Sequence, residues 1–285
     1  MKNPVQLKRD ESTMITLSDL TEAFEGIASS RLAQIRLDVI HSGVFFDGMW
    51  LVYNEIRVDK SFHYGRRTSP NAVINKELYI LISSEGGFSG DIDNRLVDNL
   101  LSRYNPDKND IVVVGRHGAN LLTQRGIRYV KYYRLPSRDQ NINVDPLVED
   151  IKRYSVSEVY YPKYITLSDQ RVANIGVSAY VKELAKGAPV NDEIISDINY
   201  IFEPTEADVI DHIETAMIFV GMSQLLLQSK IAQYASRFQA MSLASQEADR
   251  QTASLHTQIS QAVRYLQDER LKETLNSMRG SQVQI

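Results

Sequence analysis

The residues with the clearest potential for chemistry are the glycines of residues 85–90 (EGGFSG), which separate an apolar run from a helical pattern. A glycine-rich turn between a strand and a helix lets the backbone approach a phosphate at the helix N-terminus. The spacing here is not G-x-G-x-x-G, and the next apolar run ends in Gly115-Arg116 instead of an acidic ribose ligand. We therefore interpret this segment, called the glycine turn below, as structural, with nucleotide binding as the alternative.

Other reactive side chains show no catalytic spacing. The chain has no cysteine, which excludes a thiolate metal site, a disulfide and a cysteine nucleophile. No G-x-S-x-G motif is present, and carboxylate pairs such as Asp268 and Glu269 fit a solvated helix face. No pair at metal-ligand spacing occurs among the five histidines, which are His41, His63, His117, His212 and His256. The sequence thus predicts no active site, no metal and no cofactor.

Length and charge narrow the class of protein. The 285 residues allow one large or two modest domains, and the net charge of −4 without a basic stripe argues against a nucleic-acid partner. Residues 1–14 are polar and lack the apolar segment of a signal peptide, and no apolar run is long enough to cross a bilayer. We expect a cytosolic chain that reaches a membrane only through a partner.

The dominant predicted element is a very long helix in the last third of the chain. No Gly or Pro occurs between Met222 and Arg279, which gives a helix of about 85 Å at 1.5 Å per residue. Apolar or small residues recur there in alternating steps of four and three, the pattern of a coiled-coil seam. The seam positions are Leu227, Ile231, Tyr234, Phe238, Met241, Ser245, Ala248, Thr252, Leu255, Ile259, Ala262 and Leu266.

A second helical pattern covers residues 16–57, with Thr16 or Ser18 as its predicted N-cap. Its far end, residues 44–52, is apolar nearly all round, which indicates burial against more than one partner helix. Antiparallel pairing of the two long helices buries both seams, and we expect Leu32 and Met241 to face each other in that pair.

The segment between the long helices has a different pattern. Apolar runs alternate with helical stretches, which is typical of an α/β sandwich with a largely parallel sheet. The predicted strands are residues 77–83, 111–114, 127–133, 159–167 and 200–202, and the predicted helices are residues 93–104, 117–125 and 145–154.

Several of these stretches together resemble the gamma subunit of F-type ATP synthases. Residues 200–204 (YIFEP) before the long helix resemble the family's Y-x-[YF]-E-P, and residues 229–249 resemble its E-x-x-A-R-M-x-A-M-x-x-A run. Residues 80–94 are similar to its TSDRGLCGGLN segment, and residues 112–126 resemble its V-G-R-[KR]-G strand and turn. Residues 20–31 lie where the family has its first helix, so the resemblance covers essentially the whole chain.

The resemblance implies an antiparallel two-helix coiled coil (residues 15–58 and 205–279) with a Rossmann-like α/β domain (residues 75–203). It implies a central-stalk rotor without catalytic residues, which couples ion flow through a membrane ring to ATP synthesis or hydrolysis in a catalytic hexamer. The implied partners are the alpha and beta subunits, the epsilon subunit and the c-ring. The implied location is peripheral, at the cytoplasmic face of the inner membrane.

The resemblance also implies roles for individual residues. Contacts to the catalytic subunits would come from Phe24, Ile27, Arg264, Glu269, Arg270 and Leu275. The foot at the ring would comprise Phe46, Tyr200, Glu203 and Glu206, and the main seam residues would be Leu32, Ile231, Phe238, Met241, Leu255 and Ile259. The family's R-Q-x-x-I-T-x-E signature near the C-terminus is degraded here. We therefore expect coupling to depend on helix stiffness more than on single polar contacts.

Two other classes of function fit parts of the pattern. An α/β enzyme or nucleotide-binding module that dimerises through its terminal helices would use the glycine turn as its ligand site. A coiled-coil scaffold outside any rotary machine would need only the two helices.

Overall fold

The computed structural model describes residues 3–56, 74–135, 143–186, 203 and 206–281. Its elements are α1 (Pro4–Ile56), β1 (Ile74–Ile82), α2 (Ile92–Leu101), β2 (Asn109–Val114), α3 (Arg116–Gln124), β3 (Lys131–Tyr133), α4 (Asp145–Lys152), β4 (Tyr154–Tyr164), β5 (Gln170–Gly176), α5 (Val177–Ala185) and α6 (Glu206–Ser281). They fall into two compact units. The helical unit comprises Met1–Ile27 and Phe238–Ile285, and the α/β unit comprises Ala28–Arg237.

The helical unit is an antiparallel pair formed by the first half of α1 and the second half of α6. Leu7 packs with Ile259 in a small buried cluster. Further along α1, Ser18 Oγ lies 3.3 Å from Ser245 Oγ. Because the partner numbers on α6 fall as the numbers on α1 rise, the two helices run in opposite directions, as predicted.

The helix α1 begins at Pro4, twelve residues before the predicted start. Asn3 Oδ1 accepts a hydrogen bond of 2.9 Å from the backbone N–H two residues on, and proline suits the first helical position. The predicted cap at Thr16 or Ser18 is wrong, since both residues lie inside the helix. Leu7, which is 2% exposed, is the residue that anchors this added segment.

The α/β unit contains a five-stranded sheet in the order β3-β2-β1-β4-β5. The pairs β1–β2, β1–β4 and β2–β3 are parallel, and β4–β5 is antiparallel. The predicted largely parallel sheet is confirmed, and its order matches the first five positions of a doubly wound sheet. The continuous apolar run of β1 follows from burial on both faces, because Tyr79 and Leu81 point to one core cluster and Leu78, Ile80 and Ile82 to the other.

Some elements differ from their predictions. The edge strand β5 (QRVANIG) and the helix α5 were not predicted, because β5 is only partly buried and shows no clean alternation. The strand predicted at residues 127–133 is confined to β3, although the Val130 N–H still bonds to the Ile111 carbonyl at 2.7 Å. The strand predicted at residues 200–202 lies outside the described residues.

Within the α/β unit, α6 is buried on nearly every side between residues 217 and 236. Five polar side chains are buried in this stretch, namely Gln224, Ser229, Lys230, Gln233 and Ser236. The helix also contains an 18-residue window that is apolar enough by length and composition to cross a membrane, with a mean hydropathy of 1.2. Half of that window is buried inside the protein, which is the ordinary state of a core helix.

Candidate interaction surfaces

The predicted seam residues occupy the buried or half-buried sides of the long helices. Ile231, Met241 and Ile259 are buried, and Phe238 and Leu255 are half-buried. Leu32 packs against a cluster that contains Leu227 and Ile231. The predicted pairing of Leu32 with Met241 is therefore wrong, and the true register places Leu32 more than one turn further back along α6.

The residues assigned to catalytic-subunit contacts are all exposed. Phe24, Ile27 and Leu275 are apolar and accessible, as are the charged side chains of Arg264, Glu269 and Arg270. Glu269 also has a neighbour in its own chain, since a hydrogen bond from Tyr265 to Glu269 raises the pKa of that tyrosine. Exposure makes these residues available for contact, and their partners stay a matter of proposal.

The foot residue Phe46 is placed differently from its prediction. It is 1% exposed and lies in the core of the α/β unit, where its ring stacks on Trp50 at 6.3 Å. One residue along a helix turns about 100°, so the neighbouring Phe45 is 63% exposed. Phe46 therefore stabilises the core, and Phe45 is the aromatic that a partner can reach. Of the remaining foot residues, Glu203 is exposed and Glu206 is the first residue of α6, whereas Tyr200 lies outside the described residues.

Phe45 belongs to an exposed apolar stripe on α1, which comprises Leu37, Ile40, Val44, Phe45 and Val52. The opposite side of the same helix is buried through Ile35, Phe46 and Tyr53. A groove of about 550 Å³ runs along the stripe and is lined by His41, Val44, Phe45, Gly48, Met49, Val52 and Ile213. This stretch of α1 is thus apolar on two opposite sides, in line with the sequence pattern.

The end of β1 and the start of α3 touch through Ser83 and two glycines. Ser83 Oγ accepts a hydrogen bond of 2.9 Å from the Gly118 N–H. A Cβ at Gly118 would lie 2.5 Å from that oxygen, and a Cβ at Gly115, where φ is +101°, would lie 2.1 Å from the Ser83 carbonyl oxygen. The V-G-R-H-G motif of the sequence therefore serves close packing against β1.

The first turn of α2 contains a buried carboxylate, that of Asp93. Asp93 is 1% exposed, and its carboxylate accepts hydrogen bonds from the Ser84 hydroxyl at 2.5 Å and the Ser84 N–H at 3.3 Å. His117 Nδ1 lies 2.7 Å from the same carboxylate, and this hydrogen bond raises the pKa of His117. Asp93 thus places a negative charge in the first turn of α2, where the helix dipole favours one.

The crevice at the carboxyl ends of β1 and β4 is the usual ligand site of a doubly wound sheet. Here α6 contacts both of its sides. Ser236 Oγ donates a hydrogen bond of 2.7 Å to the Ser89 carbonyl in the glycine turn after β1. Tyr164, at the end of β4, packs against the cluster of Leu227 and Ile231. The helix therefore occupies the region that a nucleotide would need, which favours the structural interpretation of the turn.

Glu85, the first residue of the glycine turn, is hydrogen-bonded to β3 and to the segment that follows it. Its carboxylate accepts a hydrogen bond from the Leu135 N–H at 2.5 Å and from the Tyr132 hydroxyl at 3.3 Å. Between these anchors, Phe88 has a φ of +68° and is 64% exposed. A left-handed backbone costs a non-glycine residue about 1–2 kcal/mol. Phe88 was not among the predicted site residues, since no sequence signal marks a positive φ at phenylalanine.

The geometry defines a class of protein: an antiparallel helix pair and an α/β sheet whose ligand crevice is filled, with apolar residues left on the helix surfaces. Exposed apolar surface of this kind is typical of proteins that bind other proteins. A family model described as ATP synthase matches residues 6–264. The chain therefore belongs to the ATP synthase family, as a gamma subunit.

Individual relatives agree with this assignment. The ATP synthase gamma chain of Clostridium novyi (strain NT) is 22% identical over 253 residues, which cover 86% of both chains. A chain of the Euglena gracilis mitochondrial ATP synthase, solved with OSCP, F1 and the c-ring, matches with a TM-score of 0.67 and 13% identity over 98% of this chain and 95% of that chain. A chain from the central stalk and c-ring of the Tetrahymena thermophila mitochondrial ATP synthase has a TM-score of 0.55 and 18% identity, covering 79% and 99%.

Proposed function

We propose that this gamma subunit is the central shaft of a rotary ATP synthase, in which the paired helices stand inside the hexamer of alpha and beta subunits. The observation that carries the proposal is the antiparallel pair of the helical unit, which buries one side of each helix and leaves apolar residues on the other. These exposed residues are Ile15, Leu17, Leu20, Phe24 and Ile27 on α1 and Leu243 on α6. Apolar side chains continue at Leu266, Leu271 and Leu275, on the exposed last part of α6.

Apolar side chains spaced along a helix surface have a physical role when a partner surrounds the helix. Burial of apolar surface against a partner stabilises the complex by about 25 cal/mol per Å². The same side chains left exposed to water contribute no such free energy. A close-fitting sleeve of partner subunits would cover both helices at once. As the shaft turns, its asymmetric surface would stabilise different conformations of the three catalytic sites in succession.

The shaft needs no catalytic residue of its own for this role. The shaft would act because its contacts with the hexamer have different free energies in different states of the hexamer. The filled crevice, the buried Asp93 carboxylate at α2 and the tightly packed glycines near Ser83 support this proposal. The ATP chemistry would then lie in the partner subunits.

The exposed stripe on α1 is the proposed foot. It presents Val44, Phe45 and Val52 beside a groove that Gly48 keeps open. We assign this surface to the epsilon subunit and the c-ring, with Phe45 in place of the buried Phe46. The chain would then be held at the membrane by its complex, peripheral to the cytoplasmic face of the inner membrane.

A charge placed on the stripe tests the foot. The variant Val44→Glu would leave the soluble hexamer assembled and ATP hydrolysis active, because Val44 is 69% exposed. Its ATP-driven ion transport per ATP hydrolysed should fall sharply, since a carboxylate would enter an apolar interface. Arg36→Glu, at an exposed position of the same helix, is the matched control. Full transport by the Val44 variant would reject this placement of the foot.

A further inference from the structure

The buried carboxylate of Asp93 has one charged partner in the described part of the chain, and that partner can lose its charge. Asp93 is 1% exposed. His117 Nδ1 lies 2.7 Å from its Oδ2, and the His117 side chain is 30% exposed to water. Histidine is the side chain whose charge changes most readily between about pH 5 and 8. The charge balance of a buried site therefore depends on a proton that solvent can deliver or remove.

The other charged groups around His117 belong to four elements. They are Asp91 and Arg95 of α2, Glu85 of the glycine turn, Arg116 of α3 and Arg237 of α6. Glu85 is hydrogen-bonded to β3 and to the segment after it, and Arg237 lies over the glycine turn. The hydrogen bond and the charge of Asp93 raise the pKa of His117 above its ordinary value, and burial lowers it by less. The titration of His117 is therefore coupled to one acid, Asp93.

Ser84 connects this pair to the glycine turn. Its Oγ lies 2.5 Å from Asp93 Oδ2 and 2.7 Å from the Gly86 carbonyl oxygen. A hydroxyl carries one proton, so Ser84 can donate fully to only one of these two oxygens. When His117 is neutral, the carboxylate lacks its positive partner and attracts the serine proton more strongly. The Gly86 carbonyl then loses its hydrogen bond, and the turn loses one of its anchors.

We propose that Asp93, Ser84 and His117 form a pH-sensitive switch, in which the positive charge of His117 keeps the glycine turn and the first turn of α2 ordered. Loss of that charge loosens both segments, because a buried carboxylate without a positive partner is costly and draws water toward itself. The dipole of α2 compensates part of the negative charge, so the sheet itself stays folded. The switch acts within one chain and does not rest on the shaft function.

The test is hydrogen exchange of the assembled complex that contains the full chain, followed from pH 5.5 to 9. Each rate is divided by the intrinsic amide rate at the same pH, which gives a protection factor. The reporters are the Ser84 N–H, bonded to Asp93 at 3.3 Å, and the His117 N–H, bonded to the Ser84 carbonyl at 2.9 Å. Protection should fall about three- to tenfold as the pH rises through the pKa of His117, because a charge-assisted hydrogen bond becomes a neutral one. Exchange of the His117 Cε1 hydrogen, measured by mass spectrometry, locates that pKa in the same samples.

Two variants of His117 separate the switch from a merely structural hydrogen bond. His117→Asn keeps a neutral donor, so protection should be low and independent of pH. His117→Lys keeps a positive charge throughout this range, so protection should stay high at pH 9. His256→Asn replaces an exposed histidine of the helical unit and should leave the wild-type pH profile unchanged. Protection that does not change with pH in the wild type, or that falls equally in the His117→Asn variant, would overturn the proposal.

Discussion

A disulfide between positions 18 and 245 would test the helix pair directly. The chain has no cysteine, so Ser18→Cys with Ser245→Cys introduces one possible bond. The two Oγ atoms lie 3.3 Å apart across the helical unit. Cysteine sulfurs placed there would start from a similar separation, and a bond forms where the two Cβ atoms can stand about 3.8 Å apart.

The expected stabilisation follows from the size of the closed loop. The two positions are separated by 227 residues. A cross-link over that length removes chain entropy from the unfolded state equal to about 5 kcal/mol at 25 °C, and strain in the folded state lowers that value. The bond joins helices that already touch, so we expect ATP hydrolysis and rotation of the assembled complex to stay unchanged.

Non-reducing electrophoresis gives the first result, since an intrachain loop migrates faster than the reduced chain. Urea unfolding with and without reductant then measures the stabilisation, and single-cysteine variants are the controls. Cross-links formed only between chains would refute the antiparallel pair within one molecule. An intrachain bond that stops rotation would refute the view that the two helices turn as one body.

Three further predictions concern single positions. Gly118→Ala should lower the free energy of unfolding by about 1–3 kcal/mol because its Cβ displaces a bonded serine hydroxyl, whereas Gly87→Ala, with open space around it, should cost less than about 0.5 kcal/mol. Asp93 raises the pKa of His117 in the folded protein. The contribution of this pair to stability should therefore be full below the pKa of histidine in the unfolded chain, and it should be lost as the pH rises through the pKa of His117 in the folded protein. In urea unfolding at pH 5.5 and 9, a His117→Asn variant should differ more from wild type at the lower pH. Ala253→Pro should lower the free energy of unfolding by about 3 kcal/mol or more and slow rotation. Replacing any one exposed charged residue of residues 264–272 with alanine should lower it by about 1 kcal/mol or less. Normal rotation of the proline variant would contradict the expectation that coupling depends on helix stiffness.

The sequence predicted those elements whose burial is regular. The run of β1 is apolar because both faces are covered, and the seam residues Met241 and Ile259 follow a strict repeat. The axial register of the helix pair was not readable, because a repeating seam fits equally well after a shift of two turns. The register is instead set by individual contacts such as that between Ser18 and Ser245, which lie 227 positions apart in the chain and leave no mark on the repeat.

The errors at the surfaces have a related origin. Residues 44–52 are apolar on nearly all sides of the helix, so the sequence does not show which side faces the core. It therefore could not indicate that Phe46 is buried and Phe45 is exposed. The early start of α1 depends on one apolar residue, Leu7, in a polar segment. Phe88 gave no signal, because nothing in the local sequence marks a positive φ at a phenylalanine.

The two-sided apolar character of α1 bears on how the complex is made in the cell. A newly synthesised copy, in which Leu37, Val44 and Phe45 are uncovered, would self-associate at concentrations at which ordinary monomeric proteins stay soluble. Such a subunit should accumulate only when its partners are synthesised alongside it, and surplus copies should be degraded. The amount of finished enzyme would then be limited by whichever partner covers the stripe, so one exposed helix face would help to set the stoichiometry of the whole assembly.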